Sequence, residues 1–118
     1  MKKYLIITGM LAVMFAISCK KESGGSNTDD NVQVNCSTVT FSGDIAPLIS
    51  SKCATSGCHN ASSSNGPGPL INYASIFASR FSIQTSVNNN RMPQGGPPLT
   101  AAEKAKLKCW IDAGAPNN

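Results

Sequence analysis

The sequence predicts a small all-α domain with few helices and long loops that are rich in glycine and proline. No run of alternating β-branched residues indicates a sheet, whereas apolar residues recur at helical spacing in three segments. Residues 36–118 are few for one domain and support only a thin hydrophobic core. Aromatic side chains in this range are correspondingly sparse: Phe41, Tyr73, Phe77, Phe81 and Trp110.

Residues 1–18 are expected to be a lipoprotein signal peptide. A basic start is followed by a largely apolar run, residues 5–17, which is too short to span a bilayer and suits a signal-peptide core. Residues 16–19 read AISC and resemble a bacterial lipobox, in which Cys19 would carry the lipid. The alternative is an ordinary secretory signal that leaves Cys19 free. Export follows from both interpretations.

Residues 19–35 are predicted to form a flexible tether. They contain glycine, serine, asparagine and charged residues with almost nothing to bury, so ordering them would not be compensated. Lys20 follows the lipobox cysteine where some inner-membrane lipoproteins have aspartate, which favours the outer membrane. The globular domain is placed at residues 36–118.

The first helix of this domain is predicted over residues 41–52. Ser42 or Asp44 is expected to be its N-cap, and Pro47 is tolerated because it falls in the first turn. The helix leads directly into Cys53.

Two loops and two further helices complete the prediction. Residues 61–69 are too rich in serine, glycine and proline for regular structure, and a short helix over 73–79 follows Asn72 as N-cap. Residues 87–98 form a second loop rich in asparagine, glycine and proline. The last helix begins with a capping box, Thr100 and Glu103, buries Leu107, Trp110 and Ile111, and stops at Gly114.

The segment CATSGCH, residues 53–59, carries the chemistry. Two thiols can add across the vinyl groups of a haem, and a histidine beside the second thiol then lies beneath the iron as its proximal ligand. Two alternatives remain for Cys53 and Cys58. One is a small-loop disulfide, and the other is a zinc site with Cys36 and Cys109, which would need thiolates kept reduced in an oxidising compartment. His59 alternatively is a core histidine.

Removal of the leader leaves one histidine, His59, and one methionine, Met92. Low-spin c-type iron commonly takes one ligand of each kind. Met92 begins a loop braced by proline and glycine, residues 92–98, which restricts the backbone and favours binding by a weak thioether ligand. The alternative is a methionine that fills the core.

Four segments of the chain resemble class I c-type cytochromes, and more closely the mono-haem domains of exported bacterial lipoproteins. They are FSGDIAPL from Phe41, CATSGCH from Cys53, MPQGGPPL from Met92 and WIDAGAPNN from Trp110. The resemblance covers nearly all of residues 36–118. It implies a cytochrome-c-like fold around one covalent haem c, attached through Cys53 and Cys58, with His59 and Met92 as the axial ligands of the iron.

The same resemblance implies contacts around the haem. The second ring nitrogen of the proximal histidine is expected to donate to a proline carbonyl in the following loop, from Pro67 or Pro69. Arg91 is a candidate partner of a haem propionate, with a solvated arginine as the alternative.

Five cysteines are an odd number for an exported chain. Assigning one to lipid and two to haem leaves Cys36 and Cys109, one before the first helix and one late in the last. Those two helices cross in the class I fold, so a disulfide between Cys36 and Cys109 is expected.

The charge and motifs favour an electron carrier. Residues 36–118 carry six basic and three acidic side chains, and two haem propionates would bring this excess close to neutral, so nothing indicates nucleic-acid binding. The chain has no second histidine after the leader and no paired carboxylates, so no enzyme activity is predicted. The expected function is single-electron transfer to redox partner proteins by a cytochrome anchored in the membrane through lipid, facing the periplasm or cell surface.

Two other functions remain open at this point. One is a haem protein in which Met92 does not bind and the iron keeps an open site for ligand sensing or catalysis. The other is a haem-free, disulfide-stapled lipoprotein that acts as an interaction module.

Overall fold

The computed structural model describes residues 33–118, and three α-helices form its framework. Helix α1 spans Ala46–Lys52, α2 spans Tyr73–Asn88 and α3 spans Ala101–Asp112. The described range contains no strand, so the all-α prediction is confirmed for it. The signal peptide, Cys19 and most of the tether lie outside the described residues. Within residues 33–118 no helix is long and apolar enough to cross a membrane.

Helix α1 is preceded by two short helical segments, a 3-10 turn at Cys36–Thr38 and a π-helical turn at Phe41–Ile45. The helical segment predicted over residues 41–52 is therefore present, but the predicted N-cap is wrong. Thr40 caps it instead: its hydroxyl accepts from the N–H of Gly43 at 3.0 Å. Asp44 is already inside the turn, and its carboxylate accepts from the N–H of Thr40 at 3.0 Å.

Helix α2 is longer than predicted. Polar residues interrupt the helical spacing of its apolar residues, so the sequence did not indicate its full length. Asn72 caps it as expected, in a capping box with Ser75. The helix continues past residue 79 to Asn88, and Ile83 and Val87 extend the buried line that begins at Ile76. The loop predicted over residues 87–98 consequently begins only at residue 89.

Helix α3 agrees closely with its prediction. The Thr100 hydroxyl accepts from the N–H of Glu103 at 3.2 Å, and the Glu103 carboxylate accepts from the N–H of Thr100 at 2.8 Å. The helix ends before Gly114, whose φ of 89° suits a residue without a Cβ.

The core lies where α3 meets α2 and the π-helical turn. Trp110 is its centre: the side chain is 1% exposed, and the indole N–H donates to the carbonyl oxygen of Pro116 at 2.8 Å. The ring of Phe41 lies 5.7 Å from Trp110 and 5.0 Å from Tyr73, so aromatic contacts join all three parts. The remaining large members of the core are Ile45, Leu48, Ile49, Leu70, Ile76, Ile83, Val87, Leu99, Leu107 and Ile111.

A disulfide joins Cys36 to Cys109, as the sequence predicts. Their Cα atoms lie 5.0 Å apart, and the bond ties the start of the domain to the last turn of its last helix. Two cysteines in the described range stay free, Cys53 and Cys58.

Candidate functional site

Helix α1 ends at Cys53, and the next residues turn back on that end. The N–H of Cys53 donates to Ile49 as the last bond of the helix, at 2.9 Å. The N–H of Cys58 then donates to Thr55 at 3.0 Å, and the N–H of His59 donates to the carbonyl oxygen of Cys53 at 3.0 Å. A closed loop thus brings both thiols and the histidine together.

Gly57 makes the closure possible. Its φ of 78° lies in the left-handed region, which a residue with a Cβ enters at a cost. The turn accommodates the four residues between the cysteines.

His59 is held inside the domain by its neighbouring loop. The side chain is 7% exposed, and its Nδ1 lies 3.0 Å from the carbonyl oxygen of Gly68. The prediction that Pro67 or Pro69 supplies this carbonyl is wrong by one residue. The chain turns at Gly68 with a φ of 94°, a conformation that the proline ring forbids. Because Nδ1 is engaged, Nε2 is the ring nitrogen left for a ligand.

His59 and Met92 both line a cleft made of two adjoining cavities, each of about 300 Å³. The two cavities also share Gly66, so they adjoin at these three residues. The first cavity is lined by the cysteine loop and the loop that begins at Met92, and the second cavity by the C-terminal turns of α2. We call the two together the cleft; its other lining residues are Lys52, Cys53, Gly57, Cys58, Asn65, Pro67, Ser82, Ile83, Ser86, Val87, Pro93 and Gln94.

Met92 reaches the cleft from the end of α2. Its N–H donates to the carbonyl oxygen of Ser86 at 3.2 Å, and the N–H of Arg91 donates to the same oxygen at 2.9 Å. The side chain is half-buried and packs against the core. The only histidine and the only methionine of residues 19–118 therefore line the same cavity.

The two free thiols differ in their surroundings. Cys53 is buried and Cys58 is partly exposed. Burial raises the pKa of the Cys53 thiol to about 11, with a smaller contribution from the nearby Cys58, so this thiol is protonated at neutral pH. A protonated buried thiol is a poor nucleophile.

The disulfide bears on the zinc alternative. That interpretation needs Cys36 and Cys109 as ligands with the two other cysteines, yet the structure joins this pair by a disulfide. Residues 33–118 also contain no cluster of three or more His, Cys, Asp or Glu side chains arranged around a metal position.

Two residues assigned to the site by sequence lie away from it. Arg91 is exposed and lines a separate cavity of about 280 Å³ with Phe81, Ser82, Thr85 and Ser86. Pro69 is absent from the walls of the cleft, whereas Pro67 is one of them.

Sequence reasoning missed the wall supplied by the C-terminal half of α2. Ile83 and Val87 are buried and line the cleft. The signal was present, because these two positions continue the helical spacing from Ile76, but the predicted helix stopped at residue 79.

No protein-family model matches the chain, and neither a curated protein nor a solved structure is significantly similar to it. Inferences about function therefore depend on the residues of the cleft.

Proposed function

We propose that the chain is an exported mono-haem c-type cytochrome that transfers single electrons. One observation carries the proposal. Cys53, Cys58, His59 and Met92 all line one cleft, with both thiols free, while the other two cysteines of the described domain are consumed by a disulfide. This is the donor set that a covalently attached, six-coordinate haem requires.

The residues of the cleft fit such a group. Cys53 and Cys58 would hold it through two thioether bonds, and His59 and Met92 would supply donor atoms to its iron. When bound, the haem supplies a reversible one-electron couple between Fe(III) and Fe(II). Ile83 and Val87 give the cleft an apolar wall next to these ligands.

Gly68 orients the histidine for this role. A hydrogen bond from Nδ1–H to its carbonyl oxygen selects the tautomer in which Nε2 carries the free lone pair, and fixes the plane of the ring. The bond also makes the imidazole a stronger donor. The thioether of Met92 favours the ferrous state, and the apolar wall acts in the same direction by keeping out water.

The placement of acidic groups supports a carrier rather than an enzyme. The three carboxylates of residues 33–118 form ion pairs with lysines, and the walls of the cleft include none of them. A general acid or base would have to come from outside this set.

The order of the helices and loops along the chain supports a cytochrome-c-like arrangement. A helix leads into the attachment loop, a long helix and a methionine loop follow, and a last helix packs on the first helical segment through the π-helical turn. Lipid attachment at Cys19 and residence in the outer membrane, facing the periplasm or the cell surface, belong to the same proposal.

Haem staining after denaturing electrophoresis tests the proposal directly. The chain is expressed with c-type cytochrome maturation proteins, and its band should retain the stain because thioether bonds survive denaturation. The purified protein should also be reduced and reoxidised by one electron per chain. A haem-free band under these conditions would overturn the proposal.

A further inference from the structure

The ion pairs of the domain leave its excess charge in one place. Each acidic side chain of residues 33–118 pairs with a lysine: Asp44 with Lys106 at 2.8 Å, Glu103 with Lys52 at 3.8 Å, and Asp112 with Lys108. Three cations have no carboxylate partner among residues 33–118: Arg80, Arg91 and Lys104. Before haem is attached, the unpaired positive charge of the described domain is therefore carried by these three.

Pairwise contacts and neighbouring positions in the chain connect these cations. The guanidinium of Arg80 lies 4.4 Å from the centre of the Phe81 ring, and Phe81 lines a cavity together with Arg91. Lys104 donates to the side-chain oxygen of Asn90 at 2.7 Å, and Asn90 directly precedes Arg91 in the chain. We call this surface the cationic flank; it consists of Arg80, Phe81, Asn90, Arg91 and Lys104.

The cationic flank borders the cleft. Ser82 and Ser86 line the cavity of Phe81 and Arg91, and the same two serines line the part of the cleft that contains His59 and Met92. Only one face of α2 separates the two surfaces. A protein bound to the flank is thus held next to the proposed site of the electron.

Phe81 and Arg80 give the flank the features of a binding surface. Phe81 is 58% exposed although it is a large apolar side chain. Arg80 is already ordered, because its guanidinium stacks 4.0 Å from the centre of Phe77 and donates to the Phe77 carbonyl oxygen at 2.6 Å. Less side-chain entropy remains to be lost when a partner binds.

We infer that the cationic flank is the docking surface for an acidic redox protein that exchanges electrons through the cleft. The inference rests on the proposed electron-carrier function. Uncompensated positive charge steers an acidic partner, and the exposed aromatic ring supplies a short-range apolar contact. An anionic membrane surface would meet a single exposed aromatic ring and would gain nothing from the neighbouring cleft, so a protein partner fits better.

Poly-L-glutamate serves as the acidic probe, titrated calorimetrically into the full haem-loaded chain carrying Cys19→Ser. The flank variant is Arg80→Gln with Lys104→Gln, and the matched control is Lys106→Gln with Lys108→Gln. Both remove two positive charges, and neither changes Arg91, which the sequence nominates as a haem contact. Binding should weaken by about threefold or more in the flank variant, and by less in the control, with the difference shrinking at high salt.

A kinetic measurement uses the bound haem itself. Oxidation of the ferrous protein by hexacyanoferrate(III) transfers one electron, leaving ferric protein and hexacyanoferrate(II). The rate should fall about threefold or more in the flank variant at low ionic strength and change less in the control. Reduction potentials are measured for both, so that a change in driving force is separated from a change in docking. Arg80→Lys keeps the charge and should keep most of the rate.

Equal losses in the flank variant and the control would overturn the inference, since net charge alone would then explain them. A full loss with Arg80→Lys would also overturn it, because the charge is retained. Flank-dependent binding to phosphatidylglycerol vesicles without binding to poly-L-glutamate would replace the protein partner by a membrane. In each case a stained, reversibly reduced protein would still support the electron-carrier proposal, whereas absence of haem would overturn that proposal separately.

Discussion

The N–H of His59 donates to the carbonyl oxygen of Cys53, at 3.0 Å. One backbone hydrogen bond therefore links the proposed iron ligand to the first proposed attachment point. It closes the loop across the four intervening residues and Cys58, so the long spacing between the cysteines does not separate the groups that must act together. Backbone hydrogen bonds hold the loop closed, so the side chains of Cys53, Cys58 and His59 can line the cleft.

We expect each of Cys53→Ala and Cys58→Ala to leave one thioether bond, and the double variant to have no covalent haem. The reason is that each thiol forms one of the two bonds. Haem staining and the spectrum of the alkaline pyridine complex distinguish two, one and no thioether bonds. Cys36→Ala with Cys109→Ala is the matched control, and it should keep the stain. A double Cys53/Cys58 variant that still stained after denaturation would contradict the assignment.

Cys19→Ser should release the protein from the membrane fraction. A lipid on this residue is the only anchor that the sequence predicts, and acyl chains hold a protein by burying methylene groups in the bilayer. Partition into detergent phase and fractionation of cells measure the effect. A Ser18→Ala variant keeps the cysteine and should stay anchored. Unchanged partition of Cys19→Ser would exclude lipid at this position.

Loss of the disulfide should destabilise the domain. Cys36 and Cys109 are separated by 73 residues, and chain entropy alone gives about 4 kcal/mol for a loop of this length. Haem attachment also restricts the unfolded chain, so Cys36→Ser with Cys109→Ser should cost less in the haem-loaded protein than in the haem-free one. Denaturant unfolding of both forms measures this. Equal costs would show that the two constraints act independently.

The capping box of α3 and the disulfide could be predicted from sequence. A capping box depends on local positions, and the disulfide had few candidate cysteines. Thr100 and Glu103 occupy fixed positions in a capping box, and only two cysteines remained after the other assignments. The prediction of the N-cap of the first helical segment was wrong for a physical reason. Several residues there can accept a backbone hydrogen bond, and Thr40 prevails because its hydroxyl accepts from the N–H of Gly43 while its own N–H donates to the Asp44 carboxylate.

The residues that wall the cleft could not be predicted as well as the proposed iron ligands. The histidine and methionine were identified by being unique, which needs no geometry. The hydrogen bond of His59 to Gly68 depends on a left-handed turn between two prolines, and sequence alone does not show which carbonyl such a turn presents. Sequence alone also does not show that α2 extends to Asn88, or that Arg91 lines a separate cavity with Phe81 and Thr85.

Asp44 should make the stability of the domain depend on acid pH. A hydrogen bond from Lys106, followed by one from the N–H of Thr40, lowers the pKa of this carboxyl below its usual value of 3.8. A lowered folded-state pKa contributes stability that is complete above the unfolded pKa and is lost as pH falls through the folded one. Asp44→Asn should thus cost about 1 kcal/mol at pH 7 and progressively less below pH 4.

Chemical unfolding of parent and Asp44→Asn at a series of pH values measures this difference. Asp112→Asn is the control, because it removes a carboxylate from an exposed pair with Lys108 within one helix and should cost little at any pH. A cost for Asp44→Asn that stayed constant down to pH 2 would show that the charge of Asp44 does not matter.

Met92→Ala should open one face of the iron. The variant should bind carbon monoxide in the ferrous state, which the parent resists, and its reduction potential should fall because a thioether favours Fe(II). The oxidised parent should show the weak near-red band that arises from charge transfer between sulfur and iron, and the variant should lack it. Ready binding of carbon monoxide by the parent would instead favour the haem protein with an open site.

Stability cannot separate the two roles of Met92, since a half-buried side chain that packs against the core leaves a hole whether or not it binds iron. Ile83→Ala supplies the control, because Ile83 lines the same cleft and has no donor atom. Both variants should lose roughly 2 kcal/mol or more of unfolding free energy. Only Met92→Ala should lose the sulfur band and gain carbon monoxide binding. If Ile83→Ala also removed the sulfur band and allowed carbon monoxide binding, the effect would come from loosened packing. Met92 would then be a core residue rather than a ligand.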